Sequence, residues 1–215
     1  MMRTIFDSAR NAAMNMAIDE LLFDGLKEGA ILRLYSWDGA YTTIGYFQKN
    51  SSNAVRRLTG GLLVNHKSDI SYGFCADAQS WPYVYSQQDT YKYIHTAVKN
   101  ALSAVGYDCN FVKAEKKTGE NVLCVQTLYS DDLIFYDRKV VGSCMRRRGK
   151  KILVQGSIHL DLDTTKKEKF YREFSENMAS LMKTTAKEES LSNAELKKAL
   201  ELSFKYSSVQ WNNKY

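Results

Sequence analysis

The chain has 215 residues, 44% of them hydrophobic and 25% charged, which is enough apolar mass for a packed interior and too balanced a charge for intrinsic disorder. Thirty basic against 24 acidic residues leave a net charge of +6, which suits an acidic partner without specifying one. No apolar run approaches the ~20 residues of a membrane span, and the polar opening MMRTIFDSARNAAMNM lacks the apolar stretch of a signal peptide, so a cytoplasmic protein with no membrane partner is expected.

The first predicted element is a helix capped by Asp7 or Ser8, with Met14, Ala17, Ile18, Leu21, Leu22 and Leu26 on one face, stopping near Gly29. Strands follow at Ile31 to Trp37 and Thr42 to Phe47, read as an antiparallel pair around Asp38-Gly39. A second helix fits Asp89 to Val105, where Ile94, Ala97, Val98, Ala101 and Leu102 form a stripe ended by Gly106. Leu133 to Tyr136 and Lys139 to Val141 read as a hairpin around Asp137-Arg138, and Ile158, Leu160 and Leu162 alternate as a half-buried strand. From about Thr164 the pattern turns helical, first through Phe170, Phe174, Met178 and Leu181. Lys183 to Ser190 reads as a short linker, and a Ser192-x-x-Glu195 capping box opens a last helix through Leu196, Ala199, Leu200 and Phe204. Strands in hairpins and helices in separate blocks predict an α+β fold, a mixed and largely antiparallel sheet packed with helices, with residues 1–215 forming a single domain.

The four cysteines, Cys75, Cys109, Cys124 and Cys144, contain no Cys-x-x-Cys pair and no zinc spacing with the three histidines, so no metal is expected. Each thiol is then a small buried hydrophobe or a nucleophile. The densest cluster is Arg56-Arg57-Leu58-Thr59-Gly60-Gly61-Leu62-Leu63-Val64-Asn65-His66. Its glycines let backbone N–H groups approach a ligand, and its guanidinium groups suit an anion, although the pattern is neither a Walker loop nor a dinucleotide fingerprint. His66 either orients this loop or meets a substrate. His95 and His159 carry no assigned role. Arg146-Arg147-Arg148 with Lys150 and Lys151 reads either as a solvated basic turn or as a docking surface for an acidic carrier protein, without any motif that would make nucleic acid a partner.

The motif Arg56-Arg57-x-Thr59-Gly60-Gly61-x-x-Val64-x-His66 resembles the signature loop of lipoate-protein ligases and octanoyltransferases. The resemblance continues in order through Asn15-Met16-Ala17-x-Asp19, Leu32-Arg33-x-Tyr35-x-Trp37, Ile44-Gly45-x-Phe47-Gln48, Lys139-Val140-Val141-Gly142-Ser143 and Gly156-Ser157-Ile158, covering roughly residues 10 to 163. It implies a biotin/lipoyl ligase-like catalytic domain in which the Gly-Gly loop and Lys139 line a channel for a medium-length acyl chain.

Within that family, ligases activate free lipoate with ATP, whereas one octanoyltransferase branch takes octanoate from acyl carrier protein through a cysteine thioester. That branch places its cysteine 15 positions before the motif lysine, and Cys124 stands 15 positions before Lys139. Cys144, five residues after Lys139, is the reserve nucleophile. The resemblance thus implies Cys124 and Lys139 as catalytic residues and Arg57, Thr59, Gly60, Gly61, His66, Gly142 and Ser143 as substrate-binding ones. It further implies no cofactor, and as partners an acyl carrier protein and a lipoyl-domain protein such as glycine cleavage H protein or a 2-oxoacid dehydrogenase subunit. The chain departs from the family at Leu62-Leu63, where Gly or a basic residue and then Ala are usual, at Cys144-Met145 in place of Ala-Gln and at Gln155 in place of His. These departures leave open, beside the octanoyltransferase, an ATP-dependent ligase and a degenerate member that only binds acyl groups or carrier proteins. Family ligases also carry an accessory C-terminal domain larger than the stretch that follows residue 163.

Overall fold

Helices cover both faces of a mixed sheet in the computed structural model, which describes residues 1–50, 53–112 and 131–215. In chain order the elements are β1 (Met2–Phe6), α1 (Ala12–Gly25), β2 (Ala30–Tyr35), β3 (Tyr41–Ile44), β4 (Val55–Arg56), β5 (Val64–His66), β6 (Ile70–Asp77) and α2 (Gln87–Ala104). There follow β7 (Asn110–Phe111), β8 (Leu133–Phe135), β9 (Arg138–Arg148), β10 (Lys151–Ile158), α3 (Thr164–Leu181), β11 (Ala186–Glu188), α4 (Asn193–Ser207) and α5 (Val209–Asn212). The main sheet runs β11-β1-β2-β6-β10-β9-β8-β7, parallel across β11, β1 and β2 and antiparallel elsewhere, while β4-β3-β5 form a small second sheet. The expected α+β class holds. Among the described residues no helix is long and apolar enough to cross a membrane.

At the centre lies β6, all eight of whose residues are buried. Tyr72, Phe74 and Ala76 face a core built with Ile94, Val98 and Leu102 of α2 and Phe170, Phe174 and Met178 of α3. Cys75 faces the opposite side, with Ile18, Leu22 and Phe23 of α1 and Ala199 of α4. Burial on both faces erases the period-two alternation that marks a strand open on one side, which is why β6 went unpredicted.

Several expectations need correction. The cap of α1 is Asn11, whose Oδ1 accepts from the Met14 N–H at 2.9 Å, while Asp7 is taken by the guanidinium groups of Arg10 and Arg33. The helix ends at Gly25 rather than near Gly29. The two strands flanking Asp38-Gly39 do not pair: β2 lies between β1 and β6, and β3 lies between β4 and β5. Trp37 separates them by turning inward, its ring stacked on His66 at 3.9 Å. The later strand ends at Ile158 and starts at Lys151, so Leu160 and Leu162 lie outside it. The linker after α3 contains β11, which adds a parallel edge to β1. By contrast, α2, the β8-β9 hairpin and α3 fall where expected, and both halves of the Ser192–Glu195 capping box are formed.

A buried polar cluster joins α1 to the sheet. Arg33 of β2 is fully buried, and its guanidinium donates to Asp19 Oδ1 at 2.7 Å, Asp7 Oδ2 at 2.8 Å and Asn15 Oδ1 at 2.7 Å. Removing one partner from a buried pair leaves the other charge desolvated without compensation, at a cost of about 3–5 kcal/mol. Arg33→Met should therefore lower the urea-unfolding free energy by about that amount, whereas Lys187→Ala, which breaks an exposed pair with Glu189, should change it by less than about 1 kcal/mol. Equal losses in the two variants would contradict this account.

Candidate active site

Both arginines of the Gly-Gly loop are committed within the chain. Arg56 is buried and donates to the carbonyls of Gly45, Tyr46, Gln48 and Asn212, which fastens the loop base to the C-terminal helices. Arg57 donates to the Gly60 and Leu62 carbonyls at 3.0 and 2.8 Å, so it braces the turn from inside. It also donates to Thr43 Oγ1 at 2.7 Å. His66 Nδ1 donates to Asp69 Oδ2 at 2.8 Å, so the neutral ring leaves Nε2 to accept the Thr43 proton, 2.8 Å away. Burial pulls the His66 pKa down against the opposing pull of Asp69, consistent with this neutral ring. Thr59 Oγ1 donates to Gln155 Oε1 at 2.8 Å, and Gln155 Nε2 donates to Asp19 Oδ2 at 2.7 Å. The loop is thereby tied to the buried cluster of α1.

The two glycines differ. Gly61 has φ +86°, and an added Cβ would lie 2.0 Å from Cys144 Sγ, whereas a Cβ on Gly60 would meet nothing within 4 Å. Gly61 thus combines a left-handed backbone with a close approach to β9.

Two adjoining cavities meet there. The inner one, of about 40 Å³, is a narrow slot whose walls include Met16, Trp37, Val64 and His66. The outer one, of about 650 Å³, is bounded by Gly60, Gly61, Tyr91 and Ser143. Lys139 and Cys144 line both, so they stand at the junction. Lys139 is buried, its Nζ 2.7 Å from Asp132 Oδ2, and its side chain folds back over Gly142, where a Cβ would lie 2.7 Å from Lys139 Cε. A residue larger than glycine would displace the ammonium.

Ser143 Oγ lies 2.5 Å from Tyr72 Oη and 2.7 Å from His95 Nε2, and His95 Nδ1 contacts the Asp131 carbonyl. Cys75 and Cys109 are buried, with burial pushing both thiols up, Cys109 to about 11. They are packing residues. Cys124 lies outside the described residues. The structure thus brings Arg57, His66, Lys139 and Gly142 to the inner slot and Gly60, Gly61, Lys139 and Ser143 to the outer cavity, with Thr59 behind the loop.

Sequence reasoning left several lining residues without a role, among them Trp37, Ser71 and His159. Alternation along β10 could have revealed Gln155 and Ser157 as a shared face, since Gly156 between them belongs to the opposite one. His95 gave no such signal, because its partners lie 36 and 48 residues away in sequence.

The basic run brackets a turn: Arg146, Arg147 and Arg148 end β9, Gly149 and Lys150 form the turn, and Lys151 opens β10. Arg146 lies over the Tyr46 ring, Arg147 donates to the Tyr85 carbonyl, and Arg148 is paired with Asp24. Lys151 donates to the Phe23, Asp24 and Leu26 carbonyls and so closes the C-terminus of α1. Much of this charge is engaged within the chain.

Residues 11–205 match the family model described as the lipoyl protein ligase A/B catalytic domain. An octanoyltransferase LipM of Clostridioides difficile is 31% identical, the alignment covering 87% of this chain and 76% of that protein. Octanoyltransferase LipM of Halalkalibacterium halodurans is 29% identical, over 91% of this chain and 79% of its own. A solved lipoate-protein ligase A bound with ATP superposes with a TM-score of 0.79 over 98% of this chain and 97% of its own, at 19% identity, a likeness of fold. Fold and relatives define an enzyme of the acyltransferase and ligase class. The chain belongs to the lipoyl protein ligase A/B catalytic domain family.

Two measurements test the site. Gly61→Ala should collapse acyl-transfer activity by clash and backbone strain, Gly60→Ala should retain most of it, and adding Cys144→Ala to Gly61→Ala should recover part, since the sulfur is removed but the strain stays. Full activity in Gly61→Ala would refute the close approach. His95, pushed down to about 4 by burial, binds its proton less tightly folded than unfolded, where about 6.5 is usual. Its stability contribution is complete above pH 6.5 and is lost as the pH falls toward 4, by roughly 3 kcal/mol. Urea midpoints between pH 7 and 4 should fall steeply for the wild type and less steeply for His95→Gln; parallel slopes would exclude a neutral His95.

Proposed function

We propose that this chain is a cytoplasmic octanoyltransferase, acting as one catalytic domain over residues 1–215. It takes an octanoyl group from acyl carrier protein and delivers it to a lysine of a lipoyl-domain protein, such as glycine cleavage H protein or a 2-oxoacid dehydrogenase subunit, through a thioester on Cys124. The observation that carries the reading is the combination of octanoyltransferase relatives at 29–31% identity with a buried lysine at the junction of a narrow slot and a wide cavity. Met16, Trp37 and Val64 give the inner slot apolar walls for part of an alkyl chain, and the wider cavity suits the arm that brings it.

In the first step the Cys124 thiolate attacks the thioester carbonyl carbon, a new C–S bond forms, and the donor's C–S bond breaks to release its thiolate. One thioester replaces another, so the exchange is nearly balanced and needs no nucleotide. In the second step the acceptor amine attacks the same carbon, the C–N bond forms, the C–S bond to Cys124 breaks, and the proton that the amine gives up passes to the released Cys124 thiolate. The amide is the more stable product, so this step runs forward. Lys139 supplies positive charge at the junction, where it stabilises both a thiolate and the oxyanion of each tetrahedral intermediate. Gly142 leaves room for the fold of that side chain, and the Arg57-braced loop holds Gly60 and Gly61 against the acyl group.

Mixing the protein with octanoyl-acyl carrier protein in the absence of ATP should yield a hydroxylamine-sensitive octanoyl adduct by intact mass, lost in Cys124→Ala and formed more slowly in Lys139→Met. An adduct that survives Cys124→Ala but vanishes in Cys144→Ala would move the nucleophile to Cys144. Transfer that occurs only with ATP and free acid, and survives both substitutions, would identify a ligase instead.

A further inference from the structure

Ser143 stands on the wall of the outer cavity beside Lys139 and Cys144, and the direction of every hydrogen bond it makes within the described residues can be worked out. The starting point is the Asp131 carbonyl, which only accepts, so the His95 Nδ1 that contacts it carries a proton. His95 is buried and neutral at neutral pH, which leaves Nε2 as a bare lone pair. Ser143 Oγ, 2.7 Å away, must therefore donate its single proton to Nε2. Tyr72, fully buried and 2.5 Å from the same oxygen, has to donate to Ser143 in turn. No proton remains for the cavity. Ser143 shows it a lone pair only.

From this polarity we infer that Ser143 is an acceptor-only contact in the outer cavity, a subsite for an N–H donor of the reacting partners and not for a phosphate or carboxylate. An ordinary serine turns its hydroxyl to suit either kind of ligand. Here, donation to an anion would strand the buried His95 Nε2 without a partner, and an anionic oxygen against the existing arrangement would set lone pair against lone pair. The inference rests on the acyl-transfer reading above, which brings N–H groups from two sources to the carbonyl held near Lys139. One is the amide of the pantetheine-type arm that carries the acyl thioester; the other is the amine of the acceptor lysine.

The test measures octanoyl transfer to an isolated lipoyl domain from three donors. Octanoyl-N-acetylcysteamine carries an amide N–H, S-butyl thiooctanoate lacks one, and octanoate with ATP supplies neither an amide nor a thioester. If the amide is the donor, the wild type should prefer the first thioester over the second by about tenfold in kcat/KM, the worth of one good hydrogen bond. Ser143→Ala should level that preference and Ser143→Thr restore it. If the amine is the donor, Ser143→Ala should slow the aminolysis step about tenfold from every donor while leaving donor preference alone. His95→Phe should lower the preference less than Ser143→Ala does, because it frees the serine proton to turn but leaves an oxygen that still accepts, and Tyr72→Phe should leave the preference in place. The preference is a ratio within one variant, so general damage to folding cannot mimic its loss. Unchanged preference and unchanged aminolysis in Ser143→Ala would overturn the inference. If neither thioester reacts without ATP, the thioester route proposed above fails, and the aminolysis rate with octanoate and ATP still decides the role of Ser143.

Discussion

The Asp19 carboxylate is the contact on which the site depends. Buried at the middle of α1, it accepts from Arg33 and Tyr35 of β2 and from Gln155 of β10, and it lies so close to β6 that a Cβ on Gly73 would sit 2.8 Å from its Oδ1. One side chain thus sets the height of the helix over three neighbouring strands. Through Gln155 it also reaches Thr59, and with it the Gly-Gly loop. A desolvated charge holds such a position only if its surroundings compensate it, so the cluster of Asp7, Asn15, Asp19 and Arg33 is a condition of the fold as well as a brace for the site.

Proton placement is the second organising feature. Two buried histidines serve the site in the neutral form, His66 between Asp69 and Thr43 and His95 between the Asp131 carbonyl and Ser143. In both, the acceptor at Nδ1 determines the tautomer, and the tautomer determines which way a hydroxyl points. Thr43 is thereby turned to receive Arg57, and Ser143 is turned to receive a donor from the cavity. Among the described residues that line both cavities, Lys139 is the cation, paired with Asp132.

Charge at the β9-β10 hairpin illustrates how a surface-looking run serves packing. Lys151 satisfies three carbonyls at the end of α1, where cations are favoured by the helix dipole, and Arg148 reinforces the same corner through Asp24. Arg146 reaches the opposite way, over Tyr46 in the segment that precedes the Gly-Gly loop. Net charge alone could not separate these roles, because it counts cations without their partners.

Local chemistry was legible in the sequence wherever a short-range rule governs it. The helical stripes of α2 and α3, the Ser192–Glu195 box and the hairpin before Lys139 follow from spacing, capping and turn preferences within a few residues. The Gly-Gly loop was readable as a place of close backbone approach, whereas the Lys139-Gly142-Ser143 stretch stood out only through its resemblance to the family. Only the tertiary structure decided that β6 is the central strand, that β2 and β3 part into different sheets, and that Asp19, Gln155 and Thr59 form one chain of contacts. Those outcomes rest on desolvation and on pairing between residues as much as 136 positions apart, and neither leaves a periodic or local trace in the sequence.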